Sequence, residues 1–194
     1  MIYIGIDPGQ SGAVAIIENS NVSVFDAPMK KVEKTGKKDY DIAAMAAILH
    51  PYYGKPVTII IEAVFSMTQQ GVSSVFNFGR GKGLWEGIAW AYGFNVHMVT
   101  PQKWKKYYVS LAPPAKDPLA PKKPKEAKPK TKNEKKEAAK QKRLVKALAK
   151  EKARTLAGEM YPQLKDRFKT VNSDGRAEAV LIAHYAEKNY TESK

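Results

Sequence analysis

The 194-residue chain contains no cysteine. Disulfides and thiolate zinc sites are therefore excluded, and a reducing compartment is compatible with that absence. Histidine is nearly as scarce, with three residues. They are isolated, and no His-x-x-His or His-Glu spacing supports a zinc site. Long apolar runs are missing too: no stretch nears the roughly 20 residues that a membrane span needs. The N-terminus lacks the charged segment and apolar core of a secretory leader. Neither GxGxxG nor GK[ST] occurs, so no nucleotide cofactor is expected. A soluble, intracellular protein is the resulting expectation. Acidic residues are the last shortage: 19 Asp and Glu face 33 Lys and Arg, for a net charge of +14. Such an excess is the electrostatic footprint of a protein that meets a polyanion.

What is present is an alternating pattern. Hydrophobic residues make up 43% of the chain, enough for a core. Residues 2–6 (IYIGI), 13–17 (AVAII) and 22–25 (VSVF) read as a β-meander, the last two separated by the turn-like Asn19-Ser20-Asn21. Residues 40–50 carry Ile42, Met45, Ala46 and Leu49 at helical spacing, and Pro51 ends that helix. Residues 57–61 (VTIII) form a β-branched run suited to a strand buried on both faces. A Gly-containing helix follows over 72–92, a strand over 95–99, and a short helix opened by Pro101. Composition then changes: residues 112–150 hold 14 Lys and Arg against four Asp and Glu, so +10 of the +14 lies there. The Pro- and Lys-rich first half is expected to be extended or disordered. From Glu134 a basic helix is expected to run to Glu159, where Tyr161-Pro162 stops it. A final helix is expected over 174–188. The order predicts an α/β fold with a mixed five-stranded sheet.

Acidic residues in three segments stand where active-site groups stand in such folds. Asp7 ends the first strand, Glu62 ends the 57–61 strand in TIIIEAV, and Asp174 and Glu178 open the last helix in SDGRAEAVLIA. Spaced four apart, Asp174 and Glu178 share one helical face. If strands 2–6 and 57–61 are neighbours, Asp7 and Glu62 emerge side by side. Clustered carboxylates repel unless a cation lies between them, and hard divalent ions, Mg²⁺ first, take oxygen ligands. Two such ions about 3.5–4 Å apart can clamp a phosphodiester's attacking and leaving oxygens. Asp174 alone could simply satisfy a helix dipole. Strand–Asp-x-Gly–strand also begins the phosphate hairpin of sugar kinases and actin-like ATPases. Those need two such domains, and a second hairpin is missing.

These segments, taken in order, resemble the RuvC-type Holliday junction resolvases, which have an RNase H-like fold, and especially the compact phage-encoded versions. IGIDPGQSGAVAI matches the first motif and IIIEAVFSM the second. SSVFNFGRGKGLWEGIAWA, VTPQKWKKYYV, KEKARTLAGEMYP and DGRAEAVLIAHYA are similar to the segments that follow. The resemblance covers about residues 1–110 and 149–188 and implies one nuclease domain over 1–190; the basic insertion at 112–148, which the compact family pattern lacks, interrupts it. It implies Asp7, Glu62 and Asp174 as core metal ligands, with Glu178 beside them as a further ligand or outer partner. In the bacterial enzymes two aspartates lie three apart in the last helix; here Asp and Glu lie four apart. It also implies Mg²⁺, two ions per site, with Mn²⁺ able to substitute. Lys105 and Lys150 would offset charge on the scissile phosphate. Phe65 would stack on a base, and Lys82, Lys103, Lys106, Arg154 and Arg176 would join Lys105 and Lys150 on DNA. The implied activity is a homodimer nicking a four-way DNA junction symmetrically, leaving 5′-phosphate and 3′-hydroxyl ends, in the cytoplasm (of the host, for a phage protein). The residues themselves leave two other readings open: an RNase H-like nuclease for RNA–DNA hybrids, forks or flaps, and a junction-binding protein without activity.

Other residues carry plainer expectations. Phe76 and Phe78 are expected in the core; Trp85, Trp90 and Tyr92 in core or dimer packing; Trp104 as an anchor of its short helix. Gly9 and Gly12 are expected to leave room for a DNA backbone beside Asp7. The insertion is expected to act as a basic arm on DNA beyond the crossover, steepening the salt dependence of binding.

Overall fold

The computed structural model describes residues 1–34, 36–63, 71–108 and 131–190. Five strands build the main sheet: β1 (Ile2–Asp7), β2 (Ala13–Glu18), β3 (Asn21–Asp26), β6 (Val57–Glu62) and β7 (Asn95–Val99), in the order β3-β2-β1-β6-β7. The first three pair antiparallel, and β1–β6 and β6–β7 pair parallel. The sheet is thus mixed, as the pattern predicts. Asn19 and Ser20 both take positive φ at the β2–β3 turn, the twist a two-residue hairpin demands.

A second, two-stranded ladder was not anticipated: β4 (Met29–Lys31) pairs with β5 (Lys38–Tyr40). Its strands are three residues long and mostly solvent-facing, so they carry no apolar alternation to read. Tyr40 ties the ladder down. Its side chain is buried, and its hydroxyl donates toward the Pro8 and Asn77 carbonyls at 3.2 and 3.3 Å.

The helices are α1 (Ile42–Leu49), α2 (Val72–Ala91), α3 (Pro101–Tyr107), α4 (Lys132–Met160) and α5 (Asp174–Asn189). Asp41 caps α1 by accepting from the Ala44 amide at 3.1 Å, and Thr100 caps α3 by accepting from Lys103. α4 starts two residues before the expected position and is unbroken through 148, so the expected insertion boundary falls inside a helix. Two 3-10 turns, Pro162–Phe168 and Val171–Ser173, join it to α5. Among the described residues no helix is long and apolar enough to cross a membrane.

The sheet sorts its side chains by the two-residue period of a strand. Ile2, Ile4 and Ile6 with Val57, Ile59 and Ile61 face one way, into a core closed by Met45, Leu49, Trp85 and Ala89 of α1 and α2. Tyr3 and Ile60 face the other way, against α5 with Trp104, Ala153 and Ala157. Gly5, Asp7 and Glu62 share that second parity. The long helix α5 therefore covers the face on which both acidic residues emerge.

Gly5 sets how close α5 comes. A methyl there would lie 2.8 Å from the Ala183 Cα and inside the contact shells of the Ala183 nitrogen and Ala179 oxygen. One helical turn earlier in the same stripe, a methyl on Gly175 would lie 2.7 Å from the Gly12 Cα. Gly175, Ala179 and Ala183 recur every fourth residue and form one smooth strip laid on β1 and its turn. Gly12 itself is occupied by the turn, not by open space: a methyl there would lie 2.9 Å from the Asp7 carbonyl carbon. The expectation that Gly12 leaves room for DNA is corrected accordingly.

Gly5→Val is expected to destabilise the fold by about 3 kcal/mol or more, because the clash is with helix backbone that cannot rotate away. Gly79→Ala, with nothing within 4 Å of the added methyl, is expected to be neutral or stabilising by about 0.5–1 kcal/mol. Urea denaturation of both variants checks the contrast.

Candidate active site

Register brings the first two carboxylates together. β1 and β6 align Gly5 with Ile60 and Ile6 with Ile61, so the next step sets Asp7 beside Glu62. β7 closes the other side, with Val99 opposite Glu62. The α5 strip then delivers Asp174 and Glu178, each one residue before a packing position. Glu62 and Asp174 are 6% and 7% exposed, a low figure for ionisable groups.

Each carboxylate has a distinct partner. Asp7 Oδ1 accepts from the Gly9 amide at 3.2 Å. Glu62 Oε1 accepts from the Trp104 indole nitrogen at 2.9 Å. Lys105 Nζ donates to Glu178 Oε1 at 2.7 Å and lies 4.9 Å from the Trp104 ring centre. Lys150 Nζ is 3.0 Å from Asp174 Oδ2, and Arg154 donates to Asp174 Oδ1. Trp104 is thus more than an anchor for α3: it orients Glu62. The sequence signal available was its place one residue before a basic position, but only the fold brings it to β6.

Burial and like charge oppose ionisation here. Desolvation, then the Glu178 charge, pushes Asp7 up to about 6, although the Gly9 amide, Lys105 and Lys150 pull the other way. Desolvation, then the charges of Asp7 and Glu178, pushes Glu62 up to about 7 against the Trp104 hydrogen bond and Lys105. Asp7, Glu62 and Glu178 therefore act on one another as a repelling set. Asp174 sits at the edge of that set, taken up by Lys150 and Arg154.

The remaining expected positions spread out. Arg176 places its guanidinium on Asp26 at the end of β3, with both contacts at 2.5 Å. Lys82 is partly buried on α2, and Lys103 and Lys106 are exposed on α3. Phe65 lies outside the described residues. Phe76 and Trp90, expected in packing, are 67% and 59% exposed, whereas Trp85 is fully buried. His184 pairs through Nδ1 with the Tyr108 hydroxyl at 2.9 Å, in an aromatic cluster that reaches Trp104 through Tyr108.

The donor chemistry fits a hard divalent cation, since a positive ion would relieve the repulsion that raises Asp7 and Glu62. It is not a closed shell: among the described residues no three acidic or histidine side chains converge tightly enough to hold an ion as they stand. The ion pairs of Lys105, Lys150 and Arg154 hold Glu178 and Asp174 instead.

No family model and no curated protein matches the sequence. Solved structures do match. One is T. thermophilus RuvC in complex with Holliday junction substrate, with a TM-score of 0.52 at 13% identity over 97% of this chain and 95% of that one. Another is the Thermus thermophilus RuvC structure, with a TM-score of 0.52 at 15% identity over 98% of each chain. The chain has a RuvC-type fold. The mixed five-stranded sheet flanked by helices is the architecture that the first and last motifs implied.

The raised carboxylates make the protein's stability depend on pH. In the folded state Asp7 and Glu62 keep protons that the unfolded chain has released. Their stabilising contribution is full below pH 4 and is lost as pH rises through about 6 and 7. Asp7→Asn and Glu62→Gln preserve the acceptor oxygens. Each is expected to stabilise the metal-free protein at pH 7.5 by on the order of 1–2 kcal/mol, with no gain at pH 4. Denaturation curves at the two pH values measure this.

Proposed function

We propose that the protein is a metal-dependent, structure-selective DNA endonuclease that resolves four-way junctions. One observation carries the reading: on a RuvC-type fold, Asp7, Glu62 and Glu178 form a repelling, partly buried carboxylate set ringed by Lys105, Lys150 and Arg154. Acid at the centre with base around it suits a phosphodiester whose charge is met partly by the chain and partly by a cation. The solved neighbour bound to a Holliday junction supports branched DNA as the substrate class. On this reading residues 1–190 form one nuclease domain that carries the basic segment 112–148.

Mg²⁺, or Mn²⁺ in its place, would be held by Asp7, Glu62, Glu178 and Asp174. When bound it supplies the charge neutralisation and water activation of phosphodiester hydrolysis. The chain's own side chains do the rest. Trp104 fixes Glu62 through its indole hydrogen bond. Lys105, supported by Glu178, presents an ammonium at the site edge to a non-bridging phosphate oxygen. Lys150 and Arg154 sit on Asp174 in the metal-free protein and exchange that carboxylate for phosphate oxygens when DNA arrives. Arg154 suits this role because its planar fork can hold two oxygens at once.

Two symmetric nicks need two sites, and α2 offers a surface for a homodimer. Val72, Phe76 and Trp90 are exposed along one face, and among the described residues nothing lies within 4 Å of methyls built on Gly79, Gly83 or Gly87 between them. Aromatic ends and a glycine groove are self-complementary about a two-fold axis.

The deciding assay offers a labelled four-way junction, a fork, a linear duplex and an RNA–DNA hybrid, with and without Mg²⁺. Paired symmetric nicks in the junction are expected. Asp7→Asn is expected to retain binding but lose about 100-fold or more in rate, the scale on which a single charge-stabilising group acts. Preferential cutting of the hybrid would overturn the reading. Trp90→Glu is expected to convert a dimer to a monomer in sedimentation equilibrium with its helical content unchanged; a monomeric wild type would refute the α2 interface.

A further inference from the structure

The N-terminal half of α4 is a helix that the body of the protein scarcely touches. Nearly every described side chain from Asn133 to Lys152 is exposed, whereas Ala153 and Ala157 are buried. Its charges are nonetheless sorted. At about 100° per residue, Lys136, Arg143, Lys146, Lys150 and Arg154 fall within an arc of roughly 80°. The two C-terminal members fix where that arc points, because both contact Asp174. Glu137, Glu151 and Glu159 fall on a separate arc with Leu144 and Leu148. Among the described cations of α4, Lys140 and Lys152 lie outside the basic arc, Lys140 between the two arcs and Lys152 beyond the acidic one.

A basic stripe of this kind is costly in isolation. Arg143–Lys146, Lys146–Lys150 and Lys150–Arg154 are like-charge pairs three or four residues apart, each unfavourable by a few tenths of a kcal/mol. A solvated helix needing only solubility would mix signs, as the other arc of α4 does with Lys152 and its acids. A row of phosphates would turn each repulsion into attraction and release counterions.

We infer that the projecting part of α4 is a rail for the backbone of a DNA duplex arm, with Lys136, Arg143 and Lys146 extending the phosphate track that Lys150 and Arg154 begin at the active site. From Lys136 to Lys150 the rail is about 21 Å long at 1.5 Å per residue. At about 3.4 Å per base pair that spans some six base pairs. The rail reads no sequence, since it offers charge and not groove-reading side chains. That the arm belongs to a branched substrate rests on the endonuclease reading; the contact with duplex does not.

The test uses the full chain and a triple variant, Lys136→Gln, Arg143→Gln and Lys146→Gln, which leaves the carboxylates, Lys105, Lys150 and Arg154 intact. A control with Lys31→Gln, Lys152→Gln and Lys188→Gln removes the same charge elsewhere. Affinity for a plain duplex is measured against salt concentration. The rail variant is expected to lower the log–log slope by about 2–3, near 0.9 per lost phosphate contact, while the control keeps the wild-type slope. Arms of 12 base pairs are expected to favour the wild type over the rail variant most, and the advantage is expected to shrink for arms of four, which at about 3.4 Å per base pair end short of Lys136. Equal slopes for rail variant and wild type, or an equal loss in the control, would overturn the rail. Nicking of the four-base-pair junction by both proteins supports the endonuclease reading on its own, and loss of nicking with an intact slope difference would refute that reading while sustaining the rail.

Discussion

The close approach of α5 to β1 is the constraint on which the rest depends. It exists because Gly5 has no side chain and because Gly175, Ala179 and Ala183 present a smooth strip to it. Interiors are packed too densely for a helix to keep its depth if one of those positions gains volume. A helix held at that depth has its rotation fixed as well. With Ala179 and Ala183 against the sheet, Glu178 can only turn toward the ends of β1 and β6. The small residues place the acidic ones.

The electrostatics follow from that placement. Bringing Glu178 to Asp7 and Glu62 takes three carboxyl groups partly out of water and makes them repel. The fold answers with cations, Lys105 on Glu178 and Lys150 and Arg154 on Asp174, and with a hydrogen bond from the Trp104 indole to Glu62. Such a site is poised, because its cations are held by ion pairs that stronger ligands can displace. Lys150 is half exposed, and ion pairs open to solvent contribute little net stability.

Outside the site the molecule is asymmetric. One side of the sheet carries the acidic cluster beneath α5. The other carries α2, whose exposed Phe76 and Trp90 flank an open glycine stripe. The N-terminal part of α4 projects from the body with exposed basic side chains, while Ala153 and Ala157 anchor its C-terminal part in the core. Part of the excess positive charge is sorted along one arc of α4 whose C-terminal members, Lys150 and Arg154, contact Asp174, and that sorting makes it directional.

Much of this was legible in the residue order. The apolar runs at 2–6, 13–17 and 57–61, the turn at Asn19-Ser20 and the Pro101 helix start are local signals, and local propensity decides them. The strand-end positions of Asp7 and Glu62 are equally local, and the resemblance to a RuvC-type fold could be read from motif order. The β4–β5 ladder could not be read, because three-residue solvent-facing strands leave no periodicity. Nor could the exposure of Phe76 and Trp90, since an aromatic looks the same in sequence whether it faces a core or a partner. The part of Trp104 in holding Glu62, 42 residues away in the chain, needed the strand order. So did the electrostatic coupling of Glu178 to the two strand-end acids, which depends on how α5 packs on Gly5. By itself the sequence determined which residues are acidic, basic, small and apolar, and which segments are strands or helices, because those depend on neighbours a few positions away. Tertiary structure decided which charges meet, because that depends on how closely two backbones approach, and a missing side chain acts only when something packs against it.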